Sequence, residues 1–329
     1  MKLTNLEIVR FCAALTVVIY HSVGILQTNG HSIGWLADVY FIGQAGVDLF
    51  FIVSGFVIWL NLSNSVKDPY PFFKNRIIRI VPSYWLITIA TTCIWAISEI
   101  TQKPLGIRPI DFKSIVQSLF LVSELIGKSK PIVIIGWTLE LEMLFYAVIA
   151  ISLIFRNLIL IYVSSVILLT SIALLVENQG RLIEFVVGMS IAVCYLKWQV
   201  SRSLSIFVLG LGIAGILSTS VIQIAAVPIW NIWAICSSAI VFGAVNLPQV
   251  QFKIAHALGS ASYSVYLIQW FTIPFAAVLL DFFPKGKITI IMFLTACVCI
   301  TQITGSLYYF WLEKPLIDWL RKKYVNSQS

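Results

Sequence analysis

The chain has 329 residues, of which 59% are hydrophobic and only 11% charged, with a mean hydropathy of +0.94. Soluble domains carry about 25% charged residues, so this composition excludes a soluble globular protein and predicts an all-α, polytopic membrane helical bundle. The net charge of +8 indicates cytosolic loops that face anionic membrane lipids rather than a nucleic acid. Because no long polar segment interrupts the apolar runs, we expect a single membrane domain over 1–329 with no fused soluble domain.

Apolar runs predict about ten transmembrane helices. The predicted spans are 7–26, 39–60, 80–99, 132–155, 157–176, 181–198, 204–220, 226–246, 259–280 and 287–312. The stretch 112–126 is shorter and contains Glu124, so we expect a re-entrant or interfacial helix there. If the N terminus is cytosolic, most of the 22 lysines and arginines fall in cytosolic segments, as the positive-inside rule requires. Ten spans then place both termini in the cytosol, with the first span left uncleaved.

The first apolar run carries two polar side chains, Arg10 and His21. They lie eleven residues apart, which places them on one face of a helix and about 16 Å apart along its axis. Polar groups inside a membrane helix are costly unless they face a partner or a water-filled cavity. Two interpretations are open. Either the arginine snorkels to the interface and the histidine makes a satisfied polar contact, or both belong to a functional site.

Carboxylates lie inside the second and fourth spans. Asp48, in GVDLFFIVSGF, is an interfacial residue if its span starts late and a functional candidate if it is buried. Glu140 and Glu142 lie about 200° apart on a helix, so only one of them can face the bundle interior. Counting along the spans places His21, Asp48 and Glu142 in the middle-to-outer part of the membrane, away from the arginines near the inner edge.

Arg76 and Arg79 lie three residues apart before the third span, so they share a helical face. They can bind lipid headgroups, or their forked guanidinium groups can hold the phosphates of a nucleotide. Arg181 and Glu184, at the start of the sixth span, are expected to pair locally. The serine and tyrosine hydroxyls of the ninth span can line a polar cavity or join helices. The six cysteines show no metal-ligand spacing, so no metal site is expected.

Taken in order, these motifs resemble the bacterial membrane acyltransferases of acyltransferase family 3, which include O-antigen and exopolysaccharide O-acetylases. The matching pieces are Arg10 with His21, GVDLFFIVSGF, Arg76 and Arg79 followed by Pro82 and Tyr84, WTLELEMLFY, SYSVYLIQ, and the closing Glu313, Lys314 and Pro315. The family pattern places its glutamate five residues after the tryptophan, here Trp137, which selects Glu142 over Glu140.

The resemblance implies an O-acyltransferase that uses acetyl-CoA or another acyl-CoA as donor substrate and binds no permanent cofactor. The catalytic residues that it implies are His21, Glu142, Asp48 and Arg10, and the donor-binding residues are Arg76, Arg79, Tyr84 and Trp137. In this hypothesis His21 is the general base, and Glu142, or with less support Asp48, orients it. The sequence departs from many relatives at Gln269, where they have a histidine, and glutamine cannot carry a proton.

The expected acceptor is a hydroxyl of a glycan or lipid-linked saccharide, and the expected location is the bacterial cytoplasmic (inner) membrane. Membrane lipids are the other partners expected, and the sequence does not specify an oligomeric state. The alternative function is a proton-coupled transporter that uses the same arginine, histidine and carboxylates as a relay. Such transporters often contain internal repeats, and none is evident in the sequence.

Overall fold

A computed structural model of the chain describes residues 3–36, 40–102, 109–220 and 229–324. Within these ranges the regular structure is entirely helical, which confirms the predicted all-α membrane helical bundle. The α-helices are α1 (Thr4–Thr28), α2 (Ala45–Asn64), α3 (Pro69–Thr101), α4 (Phe112–Leu119), α5 (Trp137–Ser152), α6 (Leu158–Leu175), α7 (Leu182–Lys197), α8 (Arg202–Ser218), α9 (Ile229–Asn246), α10 (Lys253–Ser260), α11 (Ser262–Ala277), α12 (Lys287–Tyr308) and α13 (Lys314–Tyr324).

Seven helical segments in the described part of the chain are long and apolar enough to cross a membrane. They are Thr4–Thr28, Tyr40–Asn64, Pro69–Thr101, Ile134–Phe155, Leu158–Leu175, Ile229–Asn246 and Lys287–Tyr324. The other three predicted spans coincide with α7, α8 and α11, which are 16, 17 and 16 residues long. These helices are shorter than the roughly 20 residues of a full crossing. The predicted starts of the second and eighth spans, at 39 and 226–228, lie outside the described residues.

The prediction of a loop up to residue 79 is wrong. The sequence predicts a loop over 61–79 and a span from residue 80, whereas α3 begins at Pro69 and continues through Pro82 to Thr101. Hydropathy marks where a helix enters the hydrocarbon core, and polar turns of the same helix lie outside that core. A helix of 33 residues is about 50 Å long, against a core of about 30 Å. Arg76 and Arg79 therefore belong to a helix.

The chain divides into two compact units. The first comprises Met1–Ser65 and Leu169–Phe310, and the second comprises Val66–Leu168 and Trp311–Ser329. The prediction of a single domain is not tested by this division and stays a prediction. In the first unit α1 packs against α2, α10, α11 and α12, α2 packs along α7, and α8 packs along α9. In the second unit α3 packs against α4, α5 and α13.

Two glycines permit the close approach of α2 and α7. A Cβ atom at Gly188 would lie 2.1 Å from the carbonyl oxygen of Ile52, and one at Gly55 would lie 2.2 Å from that of Phe185. No side chain fits at these distances, so the two backbones are in direct contact. This contact fixes the position of the polar residues that the same two helices carry.

Asn5 fastens the start of α1 to the segment after α9. Its amide nitrogen donates to the carbonyl oxygens of Ala244 at 2.9 Å, Pro248 at 3.2 Å and Leu247 at 3.4 Å. Its amide oxygen accepts from the backbone N–H of Val250 at 3.1 Å. One buried side chain thus contributes hydrogen bonds to four backbone groups.

The helix α4 occupies only the first part of the stretch 112–126, where the sequence predicts an interfacial or re-entrant helix, because it ends at Leu119. Its N-cap is Asp111, whose carboxylate accepts from the backbone N–H of Ser114 at 2.8 Å. Phe112, Val116 and Phe120 are exposed at four-residue intervals, so they form one apolar face. A short helix with such a face is suited to lie along a membrane interface.

Candidate functional site

His21 lies on α1 in the first unit, where it is half-buried. Its ring contacts Tyr20 edge-on with 5.1 Å between centroids, and Tyr20 stacks on Tyr40 at 5.7 Å. Among the described residues of this unit, none forms a hydrogen bond with the imidazole. The interpretation of His21 as a satisfied polar contact therefore has no support within its unit.

The register of α1 and α2 separates Asp48 from His21. A Cβ atom at Gly43 would meet the carbonyl oxygen of Thr16 at 2.4 Å, and one at Gly46 would meet that of Ala13 at 2.5 Å. The segments therefore run antiparallel, and Asp48 lies about 12 Å from His21 along the axis of α1. The structure does not bring these two predicted catalytic residues together.

Asp48 belongs instead to a buried ionic cluster between α2 and α7. Its Oδ2 atom lies 3.7 Å from Nη1 of Arg181, and its side chain is fully enclosed by protein. Glu184 places a second buried carboxylate beside Asp48, and neither carboxylate oxygen of Asp48 has a hydrogen-bond partner among the described residues. Sequence reasoning predicted only a local pair of Arg181 with Glu184 and missed the link to α2. Within the described ranges no three His, Cys, Asp or Glu side chains form a group that can hold a metal ion.

Arg10 lies near the start of α1, on the same uninterrupted helix as His21. The two residues therefore share a face, as their spacing predicts. Nη1 of Arg10 lies 3.8 Å from Oε2 of Glu7, one helical turn earlier. Glu7 packs directly against Gly259, where a Cβ atom would lie 2.5 Å from the glutamate side chain. The start of α1 thus holds a half-buried cation against an adjacent carboxylate.

In the second unit Arg76 lies between two aromatic rings. The carbon at the centre of its guanidinium group lies 5.6 Å from the ring centroid of Phe72 and 5.5 Å from that of Tyr146. The hydroxyl of Tyr146 donates a hydrogen bond of 2.5 Å to Oε1 of Glu142. Nε of Arg76 is enclosed by protein and has no hydrogen-bond partner among the described residues. Arg76, Tyr146 and Glu142 therefore form one connected set between α3 and α5.

This set changes the expected layout of charges. Counting along the spans separated Glu142 from the arginines near the inner edge, whereas in the structure Tyr146 connects Glu142 to Arg76. Sequence reasoning did not assign a role to Tyr146. The available signal was its position four residues after Glu142, which puts the two side chains on one helical face.

The carboxylate of Glu140 forms hydrogen bonds with the backbone of a neighbouring turn. Its two carboxylate oxygens accept from the backbone N–H groups of Ser123 at 2.9 Å and Glu124 at 2.8 Å. These bonds fix the turn after α4 to the first turn of α5. Both oxygens of Glu140 already have donors, and the selection of Glu142 as the site residue of this pair stays a prediction.

Tyr84 and Trp137 lie close together in the second unit. Tyr84 is wholly buried, and a Cβ atom at Gly136 would lie 2.7 Å from its hydroxyl oxygen. Trp137, the next residue, begins α5 and is half-buried. Tyr84 is thus a core residue that supports the start of α5. Roles of Tyr84, Trp137 and Arg79 in donor binding stay predictions.

Gln269 is buried on α11 in the first unit. Its Nε2 atom donates to the carbonyl oxygen of Tyr266 at 2.8 Å, and its Oε1 atom has no partner among the described residues. Further along α11, the hydroxyl of Thr272 bonds that of Thr301 on α12 at 2.6 Å. At this position the hydroxyl-rich face joins two helices.

Residues 3–309 match the model of a protein family described as "Acyltransferase domain". The chain belongs to acyltransferase family 3. This acyltransferase is 30% identical over 317 residues to the "Exopolysaccharide production protein ExoZ" of Rhizobium meliloti (strain 1021). The similarity covers 87% of this chain and 93% of that protein. No solved structure matches the chain. The protein is accordingly a multi-pass membrane acyltransferase, and the transporter alternative loses its support.

Proposed function

We propose that this acyltransferase moves an acyl group, with acetyl as the expected group, from acyl-CoA to a hydroxyl of an exported or cell-surface glycan. The name of its relative in Rhizobium meliloti, an exopolysaccharide production protein, supports an acceptor of that class. The family resemblance supports the acyl-CoA donor and the location in the bacterial cytoplasmic (inner) membrane, and the charge distribution supports cytosolic termini.

The observation that carries the proposal is the half-buried His21 imidazole, which has no hydrogen bond to a described residue of its own unit. A free ring nitrogen inside an apolar helix can accept a proton from a hydroxyl, which is the task of a general base. A histidine with only a structural role would be expected to have its polar atoms satisfied by neighbouring groups.

In the proposed reaction, a ring nitrogen of His21 takes the proton of the acceptor hydroxyl, and the oxygen of that hydroxyl attacks the carbonyl carbon of the thioester. The carbon–sulfur bond then breaks, and the leaving CoA sulfur takes the proton back from the imidazolium. Arg76 and Arg79 bind the donor phosphates, and Arg10 stabilises negative charge. If donor and acceptor occupy opposite sides of the membrane, His21 carries the acyl group covalently between two steps.

The orienting roles of Glu142 and Asp48 toward His21 stay predictions. Glu142 is bonded to Tyr146, and Asp48 is paired with Arg181. Each carboxylate therefore has a partner in its own unit that limits its freedom to reorient.

The test is to replace His21 by Ala and by Gln, with His256→Gln as the matched control, because His256 is exposed on α10. We expect both His21 variants to insert and to bind CoA, and acyl transfer per milligram of folded enzyme to fall by about 10²–10⁴-fold. Glutamine keeps hydrogen bonding but accepts no proton, so it should not restore activity. The His256 variant should keep full activity. Near-normal transfer by His21→Gln would exclude His21 as the base.

A further inference from the structure

The amphipathic helix α13 brings a further arginine to α3. Ile317, Arg321 and Tyr324 recur at intervals of four and three residues, so they form one stripe of the helix. Ile317 is buried, and the carbonyl oxygen of Tyr324 accepts a hydrogen bond from Nζ of Lys74 on α3. The residues on the other side of α13 are exposed, namely Asp318, Trp319, Lys322 and Lys323. Arg321 therefore lies on the face that packs against α3.

Arg321 lies within electrostatic range of Arg76. In both residues the Nε atom is enclosed by protein, and it has no hydrogen-bond partner among the residues that the structure describes. Neither guanidinium group forms an ion pair with a described carboxylate. Glu142 attracts Arg76 but bonds to the hydroxyl of Tyr146. Two like charges thus lie together, each with donor capacity to spare.

Such an arrangement is unfavourable in an empty protein. Both residues are half-buried. Charges partly withdrawn from water gain from a partner of opposite charge, whereas two neighbouring cations repel each other. A phosphate group removes both costs, because its oxygens accept paired hydrogen bonds from guanidinium forks and its charge offsets theirs. The rings of Phe72 and Tyr146 hold the Arg76 fork in place without consuming its N–H donors.

We propose that Arg321 and Arg76 together form a binding site for an organic phosphate, with α13 closing the site against α3. The phosphate can come from CoA or from a phospholipid headgroup. The first source rests on the proposed function, and the second does not.

The test compares Arg321→Ala and Arg321→Lys with Lys322→Ala in the full-length protein. Lys322 is the matched control, because its loss removes the same charge from the exposed side of the same helix. CoA binding is measured by calorimetry in detergent without phospholipid, using CoA, 3′-dephospho-CoA and pantetheine. Retention of phosphatidylglycerol is measured by native mass spectrometry. Thermal unfolding shows whether each variant is folded.

We expect Arg321→Ala to weaken CoA binding by about 10-fold or more, Arg321→Lys to recover part of it, and Lys322→Ala to change it by less than about 2-fold. Pantetheine, which carries no phosphate, should not discriminate between the variants. If CoA binding is unchanged but Arg321→Ala alone loses phosphatidylglycerol, the result supports the phosphate-binding site and identifies its ligand as a phospholipid headgroup. Equal effects of the Arg321 and Lys322 changes, or no effect on either ligand, would overturn it. Failure of the wild-type protein to bind CoA would count against the proposed donor, and the lipid measurement would still decide the site.

Discussion

Arg76 is held by aromatic rings, and this has consequences for what its guanidinium group can bind. Cation–π contacts contribute about 0.5–2 kcal/mol each and leave the N–H donors of the fork free. The two rings around Arg76 therefore order the side chain before a ligand arrives. An ordered fork loses less conformational entropy on binding an anion than a mobile surface arginine does.

We expect Arg76→Ala to raise the apparent KM for the acyl-CoA donor by about 10-fold or more, since charge-assisted contacts are worth about 1.5–3 kcal/mol. Arg79→Ala should act in the same direction. Arg76→Lys should recover part of the loss, because the charge stays while the fork is lost. Steady-state kinetics with varied donor measures the effect. The control is Arg156→Ala, which removes an exposed arginine paired with Asp68 at 2.9 Å and should leave the KM unchanged. A wild-type donor KM in both Ala variants at positions 76 and 79 would identify these arginines as lipid anchors.

At the residue scale, spacing within one helix was a reliable guide and pairing between helices was not. The shared face of Arg10 and His21 follows from the helical repeat alone, and α1 is continuous across both. The pairing of Asp48 with Arg181 joins residues more than a hundred positions apart. Nothing in the local pattern around Asp48 specifies that contact, which depends on how α2 and α7 cross.

At the scale of elements, two glycines determine how closely α2 and α7 cross. Gly55 and Gly188 each place a backbone against a carbonyl oxygen of the other helix. The same pair of helices places the buried carboxylate of Asp48, on α2, beside the half-buried guanidinium group of Arg181, the residue that precedes α7. Separation of the helices would therefore lengthen this ion pair, and little water is near to solvate the separated charges.

We expect Gly188→Ala to destabilise the protein by about 1–3 kcal/mol, the usual cost of forcing extra volume into a packed contact. The matched control is Gly210→Ala on α8, where an added Cβ atom would have nothing within 4 Å. That change should be neutral or slightly stabilising, because alanine favours a helix over glycine by about 0.5–1 kcal/mol. The measurement is thermal unfolding of both variants in the same detergent. Equal unfolding temperatures would show that the crossing tolerates a methyl group.

Helix positions were largely predictable at this scale, and helix ends were not. The predicted span 157–176 is an exception, since it agrees with α6 to within one residue at each end. There the helix and the apolar run end at nearly the same residues. The loop predicted before the third span is wrong because α3 is already helical through Lys74, Arg76 and Arg79. The polarity of those turns reflects their location outside the hydrocarbon core and says nothing about their backbone conformation.

For the molecule as a whole, the distribution of charge predicts its orientation. The loop between α2 and α3 is exposed at Ser65, Val66, Lys67 and Asp68, and the positive-inside rule places it in the cytosol. Thr101 lies at the other end of α3, which is long enough to cross the membrane. The two ends of this helix should therefore face opposite compartments.

We expect a cysteine at Ser65 to resist a membrane-impermeant thiol reagent in intact cells and to react after permeabilisation. A cysteine at Thr101 should react in intact cells, which makes it the matched control. Because six native cysteines are present, both substitutions are made after the native ones are replaced. Ready labelling at Ser65 together with protection at Thr101 would invert the orientation.

The amide of Asn5 has a consequence for how the protein is made. Its bond with Val250 joins residues 245 positions apart, so α1 leaves the ribosome long before the segment that fastens it. At about 5–20 residues per second, the wait is about 12–50 s. For that time α1 holds Arg10 and His21 in the lipid with only its earliest neighbours in place. We therefore expect the half-made chain to be the form most vulnerable to membrane proteases, and slow synthesis before residue 250 to lower the yield of this acyltransferase.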